Sequence, residues 1–456
     1  MRKQKTFLKK VQWLQSTLLI SVILIMLSLV RISALLPGIS EKADAQKIKA
    51  KQKVYEKEYI RGSILDRDGK AIVWSEEAGG PRLRNFGYSF SNLTGYYSKI
   101  YGTSGLESRY NAELTHSSSP SGEKRGADIT LTIDQKLQDL AYEQIKDFTG
   151  SAVVLDKKTG EILALASSPS YDADSLEDNW EEISSKEGVF YSNAYQNPQV
   201  PGSVFKLVTS KAILEHHLKN KTVYDEGALK VNGQTIQNYD GTEYGPLKWE
   251  EGFVKSSNVY FMSMALKMGV DALDGAAKDF LIGEDIELDF TTLHSAWDLG
   301  TEEDNIVAST AFGQGNTLIT PLQMAMITQS IANDGEMMRP WLVKSVANGR
   351  GKVREEGKEE LLTRTMDRDT AKKIRHAMTE AGESYGLSQI GEDNDRIAAK
   401  TGTAERGDGT NNAWMVTFAP ADDPRYVIVV NRLGTKKIGK SLAPVVETLY
   451  EYLLKE

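Results

Sequence analysis

The most uniform stretch of the hydrophobic pattern is an uncharged run from Val11 to Val30, rich in Leu, Ile and Val. At a rise of about 1.5 Å per residue, a helix of this length covers about 30 Å, the thickness of a bilayer's hydrocarbon core. Basic residues crowd the chain before it: Arg2, Lys3, Lys5, Lys9 and Lys10. The pattern predicts a transmembrane helix over residues 11–36, with residues 1–10 in the cytoplasm and everything after the helix outside.

Two other interpretations of this run are weaker. A cleaved signal peptide would use Ala43–Ala45 as its cleavage box, but that box lies far beyond the end of a long apolar run. An internal core helix rarely has such a basic N-terminal flank. We therefore predict an uncleaved, single-pass anchor.

The pattern after the anchor predicts a small module over residues 37–127. Lys and Glu dominate from Glu41 to Glu58, which is typical of a solvated linker or an exposed helix. From Tyr59 to Gly126, short apolar pieces alternate with Gly, Ser and Pro. This alternation favours strands and loops with little helix.

The remaining residues, 128–456, show the periodicities of a larger α+β domain. Alternation up to Ile133 predicts a strand, and helical spacing follows it, with Asp134 as a candidate N-cap. Two strand pairs are predicted around turns: Ser151–Asp156 with Glu161–Ser167, and Trp414–Pro420 with Arg425–Leu433. A long, mostly helical region separates these hairpins, and a terminal helix is predicted over 443–454. Strands far apart in sequence would thus form one antiparallel sheet.

Composition narrows the classes of function. Lys and Arg total 55 against 63 for Asp and Glu, a net charge of −8, which disfavours nucleic acid as the main partner. The chain contains no cysteine, so disulfides, thiolate nucleophiles and Cys-based metal sites are excluded. Its histidines show no metal-binding spacing, and they are His116, His216, His217, His294 and His376. We expect neither a metal nor a cofactor.

The first candidate catalytic pair lies in the segment PGSVFKLVT. Pro201 and Gly202 precede Ser203, and apolar residues continue the segment, which predicts the start of a buried helix. Lys206 lies three residues after Ser203, so both side chains share one helical face and can come within hydrogen-bond distance. A serine hydroxyl needs a base, and a buried lysine with a lowered pKa can supply one. By itself, S-x-x-K is more often an exposed lysine near a helix cap.

A second group of polar residues lies further along the chain. Ser256 and Asn258 precede an apolar stretch, where the hydroxyl can relay a proton to a leaving amine and the amide can bind a peptide carbonyl or orient Lys206. By itself, the segment fits equally well a pair of serines that only cap a helix.

The last polar group is Lys400, Thr401, Gly402 and Thr403, which follow an apolar strand. Lys400 would lower the pKa of Lys206, Gly402 leaves room for a substrate backbone, and the threonine hydroxyls can bind a carboxylate. An exposed lysine on an edge strand is the alternative here.

Taken together, S-x-x-K, S-x-N and K-T-G in this order resemble the signatures of penicillin-recognising serine enzymes. Further stretches are similar to class B penicillin-binding proteins: RGSILDRDG from Arg61, GLESRYNAEL from Gly105, LTIDQKLQ from Leu131 and FGQGNTLITPLQMA from Phe312. The resemblance covers nearly the whole chain. The module before Leu131 is shorter than the pedestal of many members, which is typical of the compact type.

This resemblance implies a transpeptidase fold at residues 128–456, with a central antiparallel sheet, helices on both faces and a helical subdomain. It implies acylation of Ser203 by D-Ala-D-Ala stem peptides or by β-lactams, Lys206 as base, and proton relay by Ser256 and Lys400. The backbone N–H groups of Ser203 and Thr403 would form the oxyanion hole. A glycosyltransferase of the RodA/FtsW type is the expected partner at the bacterial cell membrane.

Other functions fit the same residues. Water could resolve the acyl-enzyme, which would make the protein a D,D-carboxypeptidase or a β-lactamase. A β-lactam sensor, or a non-catalytic scaffold for a glycosyltransferase, is the third interpretation. The complete catalytic set disfavours an idle scaffold, and a sensor would need a cytoplasmic domain larger than residues 1–10.

Overall fold

The computed structural model describes residues 58–116, 124–299, 303–391 and 393–455. The predicted tail, anchor and most of the linker lie outside these residues. Within the described ranges, no helix is both long and apolar enough to cross a membrane. Contacts divide the chain into the units Met1–Tyr59 and Ile60–Glu456, and every element named below belongs to the second unit.

The strands of the described residues are numbered in chain order. They are β1 Ile64–Leu65, β2 Ala71–Trp74, β3 Leu83–Arg84, β4 Tyr97–Ser98, β5 Gly102–Thr103, β6 Asp128–Leu131, β7 Gly150–Asp156, β8 Ile162–Ser168, β9 Val223–Asp225, β10 Ala228–Val231, β11 Gln234–Gln237, β12 Gly245–Leu247, β13 Ile286–Glu287, β14 Thr292–Leu293, β15 Glu336–Met338, β16 Val343–Ala347, β17 Val353–Glu356, β18 Leu361–Arg364, β19 Ala398–Glu405, β20 Asn411–Ala419 and β21 Tyr426–Thr435.

The helices are numbered in the same way. They are α1 Ser91–Thr94, α2 Gly105–Arg109, α3 Asn111–Thr115, α4 Gln135–Ile145, α5 Trp180–Ser185, α6 Lys206–Glu215, α7 Trp249–Val254, α8 Asn258–Met268, α9 Val270–Asp279, α10 Asp304–Thr310, α11 Pro321–Ala332, α12 Arg368–Tyr385 and α13 Ala443–Leu453. Short 3-10 turns occupy Gly202–Phe205, Tyr239–Gly241 and Gly439–Leu442.

The central sheet has five antiparallel strands in the order β19-β20-β21-β7-β8. Both predicted hairpins are confirmed as β7–β8 and β20–β21, and β21 pairs with β7. The sheet therefore joins segments from opposite ends of the domain, as the pattern predicted. Strand β19, which carries Lys400–Thr403, lies at one edge.

Helices cover both faces of this sheet. Val153 and Val429 point into one core with Ile327 of α11, whereas Val154 and Val430 point into a second core with Leu449 of α13. Successive strand residues face opposite sides, so a strand covered on both faces needs an unbroken apolar run. Helix α4 begins at the predicted N-cap, because the Asp134 carboxylate accepts hydrogen bonds from the amides of Lys136 and Leu137.

The N-terminal sheet draws on more of the chain than the predicted module. Its order is β17-β16-β6-β1-β2-β3, and β1 pairs in parallel with β6 through Ile64 and Ile129. Strands β6, β16 and β17 come from beyond residue 127. The described part of the module also contains helices α1 to α3, so it is more helical than its pattern indicated.

The region between β8 and β19 contains most of the helices, as predicted. Short antiparallel pairs, which the periodicity did not indicate, interrupt it: β9 with β12, β10 with β11, β13 with β14, and β15 with β18. Each pair has strands of only two to four residues, too short to show a clear alternation.

Candidate active site

Ser203 lies at the point where the helical region meets the edge of the central sheet. It is in the 3-10 turn Gly202–Phe205, which leads directly into α6, and it remains partly exposed. The Gly202 amide donates a hydrogen bond to the Gly313 carbonyl at 2.9 Å, and Gly202 has a φ of 58°. A side chain at this left-handed position would be strained, so glycine sets the turn that presents Ser203.

Gly402 brings strand β19 against that turn. A Cβ atom at Gly402 would lie 2.7 Å from the Pro201 carbonyl oxygen and 3.2 Å from the Val204 nitrogen. The sequence predicted that glycine here leaves room for a substrate. The structure gives a further reason, because the protein's own backbone occupies the space of a side chain.

The Lys206 amine is fully buried and points to the S-x-N segment. Its Nζ donates to the Ser256 carbonyl at 2.6 Å, to Asn258 Oδ1 at 2.8 Å and to Ser256 Oγ at 3.2 Å. Within the described chain these bonds go to Ser256 and Asn258, not to Ser203. Burial lowers the pKa of Lys206 well below its usual range, and the charge of Lys400 lowers it further.

The Lys400 amine reaches the same serine from strand β19. Its Nζ is 2.8 Å from Ser256 Oγ, 3.1 Å from the Thr401 carbonyl and 3.2 Å from the Tyr385 hydroxyl. The Ser256 hydroxyl therefore lies between two buried amines. A hydroxyl both donates and accepts, so this arrangement can pass a proton between the two lysines.

Ser256 and Ser257 have different surroundings. Ser257 is the N-cap of α8, and its hydroxyl accepts a hydrogen bond from the Tyr260 amide at 2.9 Å. Ser256 has a φ of 56°, a left-handed conformation that serine rarely adopts, and it faces the lysines. The capping alternative thus holds for the second serine, whereas the first belongs to the site.

Thr401 and Thr403 lie on the opposite face of β19 from Lys400 and Gly402, as strand alternation requires. Both threonines are partly exposed, and Thr403 Oγ1 accepts a hydrogen bond from the Gly439 amide at 3.2 Å. Their role in binding a substrate carboxylate stays a prediction.

Comparison with known proteins identifies the family. Residues 150–451 match the family described as the penicillin binding protein transpeptidase domain. The chain belongs to this family. Residues 61–136 also match a second domain, described as the penicillin binding protein A dimerisation domain. The resemblance to class B penicillin-binding proteins is confirmed.

Named relatives support the same assignment. The peptidoglycan D,D-transpeptidase PbpA of Mycolicibacterium smegmatis is 29% identical over 379 residues, which are 75% of this chain and 77% of the relative. Penicillin-binding protein 3 of Bacillus subtilis is 28% identical over 318 residues, 65% of this chain and 46% of the relative.

A solved structure shares the transpeptidase fold. Penicillin-binding protein A from M. tuberculosis, in a ceftriaxone acyl-enzyme complex, matches with a TM-score of 0.81 and 26% identity. The match covers 87% of this chain and 98% of that chain. The α+β fold that the sequence predicted is therefore confirmed at the level of a penicillin-binding transpeptidase domain.

The transpeptidase domain also contains site residues that the sequence did not reveal. Tyr385 contacts Lys400, while Asp225 and Asn238 lie behind Ser257 and Asn258. None of the three belongs to a recognisable motif, and each is well over ten positions from the motif residue that it contacts. The sequence contains no signal that could have found them, because their role depends on how segments far apart in the sequence pack together.

Proposed function

We propose that this protein is a serine D,D-transpeptidase that cross-links peptidoglycan stem peptides through an acyl-enzyme on Ser203. One observation supports the proposal most strongly: the Ser256 hydroxyl is shared by the amines of Lys206 and Lys400, at 3.2 and 2.8 Å. A relay of this kind serves acyl transfer, where one amine must take a proton and a leaving group must receive one. The M. tuberculosis relative forms an acyl-enzyme with ceftriaxone.

In the first half-reaction, neutral Lys206 takes the hydroxyl proton of Ser203 as Oγ bonds to the carbonyl carbon of the penultimate D-Ala. The C–N bond to the terminal D-Ala then breaks, and Ser256 gives that nitrogen a proton, which the lysines replace. The N–H groups of Ser203 and Thr403 are assigned to the oxyanion. Thr401 and Thr403 are assigned to the carboxylate, with Gly402 between them.

The second half-reaction uses the same groups in reverse. The amine of a neighbouring stem peptide attacks the ester carbon, Ser203 leaves as the hydroxyl, and the amine's proton returns through Ser256 and Lys206. Every proton is carried by a residue of the chain, so the scheme uses neither a metal nor a cofactor.

Support for Lys206 as base comes from its surroundings and its position. The lowered pKa makes a neutral amine accessible nearer physiological pH. In a 3-10 turn, residues three apart eclipse one another, so Ser203 and Lys206 share a face. Asn258 holds the amine through Oδ1 at 2.8 Å and fixes its direction.

The wider architecture is part of the proposal. Residues 11–36 would anchor the chain, residues 1–10 would be cytoplasmic, 37–127 would form a reduced pedestal, and 128–456 would be the extracytoplasmic transpeptidase domain. Hydropathy and basic residues before Val11 support the anchor. The short pedestal supports pairing with a RodA/FtsW-type glycosyltransferase, which should co-purify with the protein from native membranes.

The central test is covalent labelling of the full-length protein in detergent with a fluorescent penicillin. Wild type should carry a label that survives a denaturing gel and maps to Ser203, and Ser203→Ala should carry none. Ser184→Ala, on the exposed face of α5, is the matched serine control and should label normally.

The lifetime of the label separates the alternatives. A label stable over hours, together with formation of cross-linked dimers from stem peptides, supports transpeptidation. Rapid loss of the label to water would indicate a carboxypeptidase or β-lactamase. A folded wild type that is never labelled, and that cross-links nothing, would favour the sensor or scaffold.

A further inference from the structure

A buried polar network lies directly behind the S-x-N segment. Asp225 ends strand β9, Asn238 precedes the turn Tyr239–Gly241, and Ser257 caps α8. The exposed fractions of these residues are 0%, 2% and 0%. Burying polar and charged side chains costs free energy unless hydrogen bonds replace the lost hydration.

The Asp225 carboxylate is the centre of the network. It accepts hydrogen bonds from the Gly227 amide at 2.8 Å, from Asn238 Nδ2 at 2.8 and 2.9 Å, and from the Ser257 hydroxyl. All of these partners donate, and Ser257 also accepts from the Tyr260 amide. Asp225 therefore acts as an acceptor-only carboxylate with its hydrogen-bonding capacity filled by the protein.

Asn238 transmits this anchoring to the catalytic segment. Its Oδ1 accepts from the amides of Asn258 at 2.7 Å and Val259 at 3.2 Å, while Nδ2 is held by Asp225. Ser257 provides a second link. Ser256 directly precedes these two held residues, Ser257 and Asn258. It has a left-handed φ of 56°, and its hydroxyl faces the two lysines.

We propose that Asp225 is a positioning residue for acyl transfer, which holds Ser256 and Asn258 against Lys206 through Ser257 and Asn238. Its negative charge also sets the pH range in which the Lys206 amine works. This inference rests on the proposed function, because it assigns Asp225 a part in preparing Lys206 as the base for Ser203.

The charged groups around Lys206 determine the sign of the effect. Burial and Lys400 of β19 lower the pKa of Lys206, and Asp225 of β9 raises it. Tyr385 of α12 contacts Lys400, and Tyr244 interacts electrostatically with both Asp225 and Asp240. Removal of the Asp225 charge should therefore lower the pKa of Lys206 further.

The test is Asp225→Asn in the full-length protein, with the rate of Ser203 acylation by fluorescent penicillin measured between pH 5 and pH 9. We expect the maximal rate to fall about 10-fold or more, because an Asn side chain has one acceptor oxygen and cannot accept from all three donors. The acid limb of the pH–rate profile should move to lower pH by about half a unit or more. Without the Asp225 charge, the Lys206 amine has a lower pKa and stays neutral to a lower pH.

Asn238→Leu is the matched control, because it breaks the same link and leaves the charge in place. It should lower the rate and leave the acid limb where it is in wild type. A purely structural role for Asp225 predicts that both variants lose rate without any shift of the limb, and this result would overturn the charge assignment. Wild-type rate in Asp225→Asn would overturn the positioning role.

One further variant, together with the wild-type rate, keeps the outcomes distinct. If Asp225→Asn does not fold, Ser257→Ala removes the hydroxyl that donates to Asp225: a slower rate supports positioning, and an unchanged rate contradicts it. If wild type itself shows no acylation of Ser203, the proposed function is wrong, and the inference about Asp225 is wrong with it. Normal wild-type acylation with unaffected variants contradicts the inference alone.

Discussion

At the scale of single residues, two consecutive serines have different roles: Ser257 caps a helix, and Ser256 contacts the lysines of the candidate site. Ser257 closes the first turn of a helix, and Ser256 is turned the other way to meet two lysine amines. The left-handed backbone at Ser256 costs about 1 kcal/mol or more, and the surrounding hydrogen bonds must offset it. Strain of this size is typical of catalytic positions.

Lys206→Met is the sharpest test of the base. Methionine fills a similar volume without an amine, so the fold should persist while acylation falls about 10²- to 10⁴-fold. Rate of penicillin labelling and thermal unfolding should be measured together. Lys211→Met on the same helix is the control, since Lys211 pairs with Glu215 and Asp279 and contacts no proposed catalytic group. Normal labelling in Lys206→Met would remove the base assignment.

Tyr385 gives a second prediction at this scale. Burial raises its pKa, but Lys400 and hydrogen bonds from Thr401 and Lys400 outweigh burial, so the pKa of Tyr385 is lowered. Tyr385→Phe removes one of the oxygen partners of Lys400. We expect acylation to slow about 3- to 10-fold, equivalent to roughly 1 kcal/mol. Tyr142→Phe, on α4, should leave the acylation rate unchanged. Equal rates in both variants would show that the Tyr385 hydroxyl does not contribute.

At the scale of elements, the site depends on how closely strand β19 approaches the serine turn. Strand β19 is an edge strand of the central sheet, and it contacts the 3-10 turn that contains Ser203. The approach is close enough that Gly402 is required by the Pro201 carbonyl itself. The packing of β19 against the turn thus fixes the distance between Ser203 and the K-T-G residues.

Gly402→Ala should push β19 away from the turn. A Cβ 2.7 Å from a backbone oxygen cannot be accommodated without movement, so we expect at least a 10-fold loss of acylation and a lower melting temperature. Gly407→Ala, two residues beyond β19, is the matched control, because a Cβ there meets nothing within 4 Å. Wild-type acylation in Gly402→Ala would show that the strand tolerates displacement.

At the scale of the whole domain, an ion cluster secures the N-terminal sheet. The Glu107 carboxylate, 0% exposed, accepts from Arg61 at 2.6 Å and Arg82 at 2.7 Å. Burial raises the pKa of Glu107, but the two arginines outweigh burial, so the pKa is lowered. The cluster lies in the part of the chain that pairs, through β1 and β6, with strands from beyond residue 340.

Glu107→Gln should lower the free energy of unfolding by about 3–5 kcal/mol, because it leaves two buried arginines without a counter-charge. Asp174→Asn is the control: its partner is Arg84, but Asp174 is 50% exposed, so we expect at most about 1 kcal/mol. Denaturant unfolding of both variants measures the difference. Similar losses in the two variants would contradict a special role for the buried cluster.

The same cluster predicts a dependence on pH. A lowered folded-state pKa means that Glu107 stabilises the protein above its ordinary value of 4.5, and that this stabilisation is lost as the pH falls through the folded value. Wild type should therefore lose stability in acid more steeply than Glu107→Gln. Parallel acid-unfolding curves for the two proteins would contradict this.

The elements that could be predicted from the amino-acid sequence are those whose signal is local. Apolar runs on either side of a turn predicted the two hairpins of the central sheet, Asp134 predicted the start of α4, and the short motifs identified the family. Each of these depends on residues within a few positions of one another. Local backbone preference and side-chain periodicity are enough to specify them.

How those parts pack together was visible only in the folded chain. It placed Ser256 between Lys206 and Lys400, added Asp225, Asn238 and Tyr385 to the site, and drew β16 into the N-terminal sheet. Contacts between residues far apart in sequence leave no periodic signal, because the local pattern of each segment specifies its own helix or strand and not the segment that it packs against. The motifs therefore predicted the type of chemistry, whereas the packing of the chain sets the distances between the reacting groups and the charges around them.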